Sequence, residues 1–246
     1  QRPLLRKLDW ISRLAKCIEL CPLRDMSSYH FTLAGASLVA LGSGALWWPE
    51  KNLLCVSDLH LGKADRAMRQ GGPMLPPYET RDTLYRLEAD ITLTRAEVIV
   101  CLGDSFDDKL SGDRLPEAEL QWISRLQTGR RWIWIEGNHD PGPMELGGTY
   151  MSALPEPPLV FRHISSSQEN GEISGHYHPK AQISLRGKSI SKPCFLLDSD
   201  RLVLPAYGTF TGGLKTQSDV LCGLMRPEAV AILTGKQARP IQMPRD

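Results

Sequence analysis

Three short apolar runs, each ended abruptly by polar residues, dominate the pattern of the first two thirds of the chain. They occupy residues 53–56, 98–102 and 132–135. Uninterrupted apolar residues over this length are typical of strands that are covered on both faces, as in a parallel sheet. Between the runs, apolar residues recur at helical spacing. The alternation of strand and helix predicts an α/β sheet with parallel members.

Two amphipathic helices are predicted between these strands. The first begins after Pro76 and Pro77, because proline is favoured in the first turn of a helix. The second ends near Gly129, since glycine commonly follows the last helical turn. Their apolar faces consist of Thr80, Leu84, Leu87 and Ile91 in the first helix and of Leu115, Ala118, Trp122 and Leu126 in the second.

The two ends of the chain follow other patterns. Residues 1–25 combine basic and apolar residues at helical spacing, and we interpret them as an extension outside the domain in preference to a membrane-surface or transit segment. Residues 29–41 alternate around Gly35, which predicts a hairpin. After about residue 155, short strands with few helical signals predict a β-rich half. We expect residues 26–246 to form a single domain.

The composition of the chain argues against several classes of protein. With 246 residues, of which 41% are hydrophobic and 23% charged, it is typical of a soluble globular enzyme. The formal net charge of +1 gives no general attraction for nucleic acid, so any contact with phosphate must come from local groups. The six cysteines form no Cys-x-x-Cys pair, and no apolar run is long enough to span a bilayer. We therefore expect a cytoplasmic protein without membrane association.

Side chains that bind metals follow each of the apolar runs. Asp58 and His60 come after the first run, and alternate residues of an extended chain share one side. Gly103, after the second run, permits close approach of the backbone. His176 and His178 would also point the same way if the chain there is extended. The whole set is Asp58, His60, Asp104, Asn138, His139, Asp140, His163, His176 and His178.

These residues are predicted to converge on one edge of the sheet, because ligands of open α/β sheets bind at the carboxyl ends of the strands. Carboxylates mixed with imidazoles suit divalent ions such as Mn²⁺, Fe²⁺ or Zn²⁺. Their number exceeds the need of one tetrahedral site, which favours two ions. Two ions about 3.5–4 Å apart can clamp both oxygens of an in-line phosphoryl displacement.

The order of these residues resembles that of the calcineurin-like metallophosphoesterases. The matching blocks are Asp58-x-His60, Gly103-Asp104-x-x-Asp107, Gly137-Asn138-His139-Asp140, His163 and Gly175-His176-x-His178. Longer stretches, at residues 43–49, 57–63, 75–80 and 202–208, resemble the DNA-ligase-associated members of that superfamily. One block departs from the family pattern, since His163-Ile164-Ser165 stands where His-Glu-Pro is usual.

The resemblance implies a four-layer sandwich of two mixed β-sheets flanked by α-helices, with two divalent metal ions at the sheet edges. It assigns the first ion to Asp58, His60, Asp104 and His178, and the second to Asp104, Asn138, His163 and His176. A hydroxide that bridges the ions would attack the phosphate, and Mn²⁺ is preferred, with Fe²⁺ or Zn²⁺ as alternatives.

The resemblance also assigns roles to residues that do not bind metal. His139 would contact the phosphate and protonate the leaving oxygen. Asp140 would orient His139, and Asp107 is a further candidate for supporting a ligand.

Substrate contacts are predicted from residues around these blocks. Lys63, Arg66 and Arg69 follow the first block and are candidates for contacts with substrate phosphates, with a solvated charged loop as the alternative. Tyr177, and Tyr207 with Phe210, are candidates either for stacking on a base or for packing in the interior.

Three functions fit the sequence. The resemblance implies a phosphodiesterase or nuclease of DNA repair that works beside a DNA ligase and a helicase. The alternative is a phosphoesterase that acts on small nucleotides or cyclic nucleotides. A third interpretation, an inactive scaffold stabilised by metal, is disfavoured because His139 would then be free to change.

Overall fold

A seven-stranded mixed sheet contains the three apolar runs. The computed structural model describes residues 28–72, 74–140, 142, 146–166, 170–185 and 187–245. The strands of this sheet lie in chain order, antiparallel from β1 to β4 and parallel from β4 to β7. They are β1 (Ser28–Leu33), β2 (Ala36–Leu41), β3 (Leu46–Trp48), β4 (Leu53–Val56), β5 (Val98–Leu102), β6 (Arg131–Ile135) and β7 (Thr149–Met151). The predicted parallel sheet and the predicted hairpin are both confirmed.

The β-rich half forms a second mixed sheet of eight strands. Its order is β15-β14-β12-β13-β10-β9-β8, and β11 pairs with β12. Strands β9, β10 and β13 are parallel to one another, and the other pairs are antiparallel. The strands are β8 (Ala153–Glu156), β9 (Leu159–Arg162), β10 (Glu172–Ser174), β11 (Lys180–Leu185), β12 (Lys188–Leu197), β13 (Arg201–Val203), β14 (Val230–Leu233) and β15 (Arg239–Gln242).

Helices cover the outer faces of both sheets. They are α1 (Lys63–Arg69), α2 (Glu79–Thr94), α3 (Lys109–Asp113), α4 (Glu117–Gln127) and α5 (Asp219–Leu224), with a short 3₁₀ helix at Pro49–Lys51. Helices α2 and α4 are the two predicted ones. The other three were not predicted, because five to seven residues contain too few turns to show a helical period.

Alternation along the central strands creates the layers. In β4, Leu54 and Val56 pack with the apolar faces of α2 and α4, whereas Leu53 and Cys55 face the second sheet. The opposite face of the second sheet packs against Leu221 of α5. The order is therefore helices, sheet, sheet and helix, which confirms the four-layer sandwich.

Some expectations concern parts of the chain that the structure does not describe. The N-terminal segment 1–25, interpreted as an extension, lies outside the described residues. Among the residues that are described, no helix combines the length and the apolar character needed to cross a bilayer. Cys55, Cys101 and Cys194 are buried and unpaired by disulfides, as expected of small core residues.

Stability should depend on the layer between the two sheets. Phe161 is fully buried there, and its ring stacks against Trp48 with 6.4 Å between the centroids. We expect Phe161→Ala to lower the free energy of unfolding by about 3–5 kcal/mol, because it removes apolar contacts and leaves a cavity. Denaturant unfolding measures this loss. The exposed Tyr85 provides the control Tyr85→Ala, and a loss below about 1 kcal/mol for Phe161→Ala would contradict the layer assignment.

Candidate metal centre

Both sheets deliver polar residues to one shared region. Strands β4, β5 and β6 are parallel, so the loops that follow Val56, Leu102 and Ile135 emerge at the same edge. In the second sheet, β9 and β10 are also parallel, and they lead to His163 and to Gly175. Two groups of side chains whose ligand atoms lie within 4.8 Å of one another result from this arrangement.

The first group consists of Asp58, His60 and His178. Asp58 is fully buried, and its Oδ1 atom lies 2.9 Å from Nε2 of His178. His60 is 4% exposed, and its Nε2 atom has no hydrogen-bond partner among the described residues. A buried imidazole nitrogen without a partner is costly, so a cation bound between these three side chains fits the group.

The second group consists of Asp104, His163 and His176. Nδ1 of His163 donates to the carbonyl oxygen of Leu102 at 3.0 Å, which directs Nε2 toward the group. That Nε2 atom lies 3.3 Å from Asp104 Oδ2, 3.3 Å from His176 Nδ1 and 3.0 Å from Oδ1 of Asn138. Several lone pairs therefore lie close together around this nitrogen. A bound metal ion or a proton would relieve their mutual repulsion.

Protonation of His163 shows how strongly this group attracts positive charge. Burial opposes protonation, but the contacts with Asp104 and Asp58 outweigh it and raise the pKa of His163 from 6.5 to about 8. Burial likewise opposes ionisation of Asp104, yet His163 and His139 lower the pKa of that carboxyl to about 2. Although Ile164 and Ser165 depart from the usual motif, the structure places His163 in the group with Asp104 and His176.

The two groups are neighbours. Nδ1 of His163 in the second group lies 4.0 Å from Oδ1 of Asp58 in the first. His139 borders both groups, since its ring centroid lies 5.3 Å from that of His60 and its Nε2 lies 4.0 Å from Oδ2 of Asp104. The side chain of His139 is 32% exposed, and it therefore faces the solvent side of the centre.

The backbone at the ligands is left-handed, which corrects the expectation of an extended chain. Asp58, His60, Asp104, His176 and His178 have φ angles of 53°, 45°, 46°, 69° and 47°. Such conformations are uncommon for residues other than glycine and tend to mark functional sites. As a consequence, His176 and His178 do not point the same way but contribute to different groups.

Glycines at three strand ends allow the loops to approach one another. A Cβ atom on Gly137 would overlap the backbone nitrogen of Asp104, and one on Gly103 would overlap the ring of His163. A Cβ on Gly175 would overlap the hydroxyl of Ser57. That hydroxyl donates to Oδ2 of Asp58 at 2.5 Å, a contact that sequence reasoning missed although Ser57 directly precedes the ligand.

Asp107 stabilises the first group through its contact with His60. Its Oδ1 atom lies 2.9 Å from Nδ1 of His60, and its Oδ2 accepts from Nη1 of Arg66 at 3.1 Å. Burial opposes its ionisation, but His60, Lys63 and Arg66 outweigh this effect and lower the pKa of Asp107 to about 2. An ionised Asp107 directs Nδ1 of His60 toward itself and leaves Nε2 for a ligand.

Asp140 makes contacts other than those expected. Its Oδ2 accepts from the backbone N–H of Ser105 and of Phe106, and its Oδ1 accepts from that of Gly137. The imidazole of His139 instead donates from Nδ1 to the carbonyl oxygen of Asp107 at 3.0 Å. Asp140 therefore joins the loops after β5 and β6 and does not orient the His139 ring.

The basic residues of α1 form ion pairs with carboxylates. Nη2 of Arg69 donates to both carboxylate oxygens of Asp108, and its Nε donates to Asp65 at 2.7 Å. Arg66 is paired with Asp107, as described above. These ion pairs hold α1 against the loop after β5, so the two guanidinium groups are already engaged. Lys63 lies 3.7 Å from Asp107 and close enough to Lys180 to contribute, after burial, to the lowered pKa of Lys180.

Comparison with known proteins identifies the family. The model of the calcineurin-like phosphoesterases matches residues 51–203, which include every candidate ligand from Asp58 to His178. The chain belongs to the calcineurin-like phosphoesterase family. A crystal structure of the Pseudomonas putida nuclease MPE is similar, with a TM-score of 0.69 and 27% identity over 87% of this chain and 100% of that one. No curated protein matches the sequence. The protein is a metal-dependent phosphoesterase.

Metal binding by this phosphoesterase should depend on the proton held by His163. A divalent ion must displace that proton, so its affinity should rise with pH until about pH 8, the pKa of His163, and then level off. Calorimetric titration with Mn²⁺ between pH 6 and pH 9 measures this change in affinity. His163→Asn should lose the rise between pH 7 and pH 8, and His30→Asn, a change at an exposed histidine, should keep it. A plateau already at pH 7 in the unmodified protein would contradict the assignment.

Asp107 should be needed for tight metal binding although it is not a ligand. We expect Asp107→Asn to weaken Mn²⁺ binding by about 10–100-fold, because the neutral amide no longer holds His60 in position. The matched control is Asp108→Asn, since Asp108 pairs with Arg69 and contacts no ligand. Titration calorimetry compares the two variants. Equal affinities for Asp107→Asn and the unmodified protein would show that His60 is positioned without it.

Proposed function

We propose that the protein is a dinuclear, Mn²⁺-dependent phosphodiesterase or nuclease that acts on nucleic acid in DNA repair. The observation that carries this proposal is the adjacency of two ligand groups, with His163 of one 4.0 Å from Asp58 of the other. One group alone would fit a single ion. Two adjacent groups beside a partly exposed histidine fit the cleavage of a phosphate ester.

The ligand assignment follows the two groups. The first ion would be held by Asp58, His60 and His178, and the second by His163, His176 and Asn138, with Asp104 shared between them. When bound, two such ions neutralise charge on the phosphoryl oxygens and lower the pKa of water. Mn²⁺ is our first choice, with Fe²⁺ or Zn²⁺ as alternatives, because imidazole and carboxylate ligands are combined.

His139 would serve as the acid for the leaving oxygen. Its Nδ1 is occupied by the carbonyl oxygen of Asp107, which leaves Nε2 as the nitrogen that faces the centre. Nε2 lies 4.0 Å from Oδ2 of Asp104, at the edge of the second group. We propose that His139 contacts the phosphate through Nε2 and passes a proton to the departing oxygen.

The nuclease activity and the repair role rest on similarity. The Pseudomonas putida protein that the chain resembles over 87% of its length is named a nuclease. The stretches at residues 43–49 and 202–208 resemble DNA-ligase-associated members of the family. We therefore propose that the protein acts in the cytoplasm together with a DNA ligase and a helicase. Residues 26–246 would form its single catalytic domain.

A second candidate function is the hydrolysis of small nucleotides or cyclic nucleotides. It is favoured by a cleft of about 350 Å³ that opens beside the ligand His178. Pockets of this size suit small ligands.

Two substitutions test the proposed chemistry. Asp104→Ala should abolish binding of both ions and all turnover, because in the proposed assignment Asp104 would hold both ions. His139→Ala should retain the ions but lower turnover by about 10²–10⁴-fold, the usual contribution of an acid of this kind. Hydrolysis of bis-p-nitrophenyl phosphate with Mn²⁺ and calorimetric metal titration measure the two quantities separately.

The substrate is identified by a parallel assay. Labelled single-stranded and double-stranded DNA and a cyclic nucleotide are incubated with the unmodified protein and with His139→Ala. Cleavage of DNA that is lost in the variant supports the nuclease, and hydrolysis of the cyclic nucleotide alone supports the second candidate. Turnover that persists in Asp104→Ala would overturn the two-ion assignment.

A further inference from the structure

The cleft beside His178 contains residues that the proposed chemistry does not use. It is bounded by the loop at residues 206–212, by Asp82 and Arg86 of α2, and by Lys180 at the start of β11. Its position next to a metal ligand places any bound molecule within reach of the centre. Its lining residues are therefore candidates for contact with the group attached to the phosphate.

The loop at residues 206–212 is fixed to two ligand segments. The backbone N–H of Gly208 donates to the carbonyl oxygen of Asp58 at 3.0 Å, and a Cβ on Gly208 would overlap the carbonyl of Leu59. Just after the loop, a Cβ on Gly213 would overlap the carbonyl oxygen of His178. Side chains on this loop consequently keep a constant position relative to the metal ligands.

An exposed aromatic ring lines the cleft, and a second exposed ring contacts it. Phe210 lines the cleft and is 45% exposed, and its ring centroid lies 6.0 Å from that of Tyr78, which is 55% exposed. Phe210 has a φ angle of 60°, a conformation that bulky side chains rarely adopt. Tyr207, by contrast, is buried, and its hydroxyl donates to Asp90 at 2.7 Å, so this ring belongs to the interior.

Cationic groups line the wall of the cleft. Lys180 Nζ donates to the carbonyl oxygen of Thr211 at 2.9 Å, and Arg86 donates to the carbonyl of Tyr207 and to Oγ1 of Thr209. Asp82 is the carboxylate of the lining and accepts from the same Thr209 hydroxyl. The cleft lining therefore contains two cations and one carboxylate, so its net charge near Phe210 is positive.

We infer that this cleft is the subsite for the nucleoside next to the scissile phosphate, with the base stacked on Phe210. Aromatic rings stack on any base, and nearby cations attract the phosphates that join nucleosides. The inference rests on the proposed function and extends it to the group that the enzyme recognises. Nucleosides of a polynucleotide and of a free nucleotide share this chemistry.

The first test compares two esters with the same leaving group. One is the p-nitrophenyl ester of thymidine 5′-phosphate, and the other is methyl p-nitrophenyl phosphate. We expect Phe210→Gly to lower kcat/KM for the thymidine ester about tenfold, within the range of one stacked base, and to leave the methyl ester nearly unchanged. Glycine is chosen because it adopts the positive φ angle without strain.

Control variants separate stacking from damage to the loop. Phe210→Tyr retains a ring and should keep the preference for the thymidine ester. Tyr85→Ala removes an exposed ring of α2 outside the cleft and should change neither rate. An equal fall for both esters, or no fall for either, in Phe210→Gly would overturn the subsite.

A binding measurement keeps the subsite distinct from the proposed function. Thymidine 5′-monophosphate should bind Phe210→Gly about tenfold more weakly than it binds the unmodified protein, while inorganic phosphate should bind both equally. Equal binding of the nucleotide would overturn the subsite. Failure of the unmodified protein to hydrolyse either ester would overturn the proposed function, and binding would still decide the subsite. Labelled oligothymidylate as a second ligand shows whether a polynucleotide is preferred to the mononucleotide.

Discussion

The metal centre depends on the attraction between buried acceptor groups and positive charge. Asp58, Asp104 and His163 are almost completely buried and lie within a few ångströms of one another. Carboxylates and imidazole lone pairs placed together in this way repel each other and have lost their contacts with water. The raised pKa of His163 shows that a proton partly relieves this repulsion, and a pair of divalent ions would relieve it more completely. The rest of the fold holds the acceptors together against this repulsion.

The fold achieves this by packing rigid layers on both sides of the loops that contain the ligands. Strand β4 is buried on both faces, so the residues that follow it begin from a fixed point. Left-handed backbone at five ligands and glycines at three strand ends then turn the loops toward one another. Local strain of this kind persists only when the surrounding structure determines it. The apolar layer between the sheets therefore supports the candidate metal centre by fixing the strands that lead to it.

Prediction from the sequence succeeded where the pattern is local and failed where the contact is distant. Apolar runs predicted β4, β5 and β6, and the residues after them supplied Asp58, His60 and Asp104 of the two groups. The left-handed backbone was missed because Asp58 and His178 give no signal of positive φ, unlike glycine. The ion pairs of Arg66 with Asp107 and of Arg69 with Asp108 were missed because these partners lie about 40 positions away. The family resemblance also implied that Asp140 orients His139, whereas in the structure its carboxylate accepts from backbone N–H groups.

The loop at residues 206–212 would connect the proposed metal binding with the proposed nucleoside subsite. It rests on the backbone of Asp58 and Leu59 from the first sheet and on that of His178 from the second. Any shift between the two sheets would move the ligands and Phe210 together. Because bound ions would hold ligands of both sheets in one place, they would also fix the distance between the aromatic rings and the phosphate. Selectivity for the nucleoside and affinity for metal are then two consequences of the same contact between sheets, and a substitution that loosens this contact would weaken both.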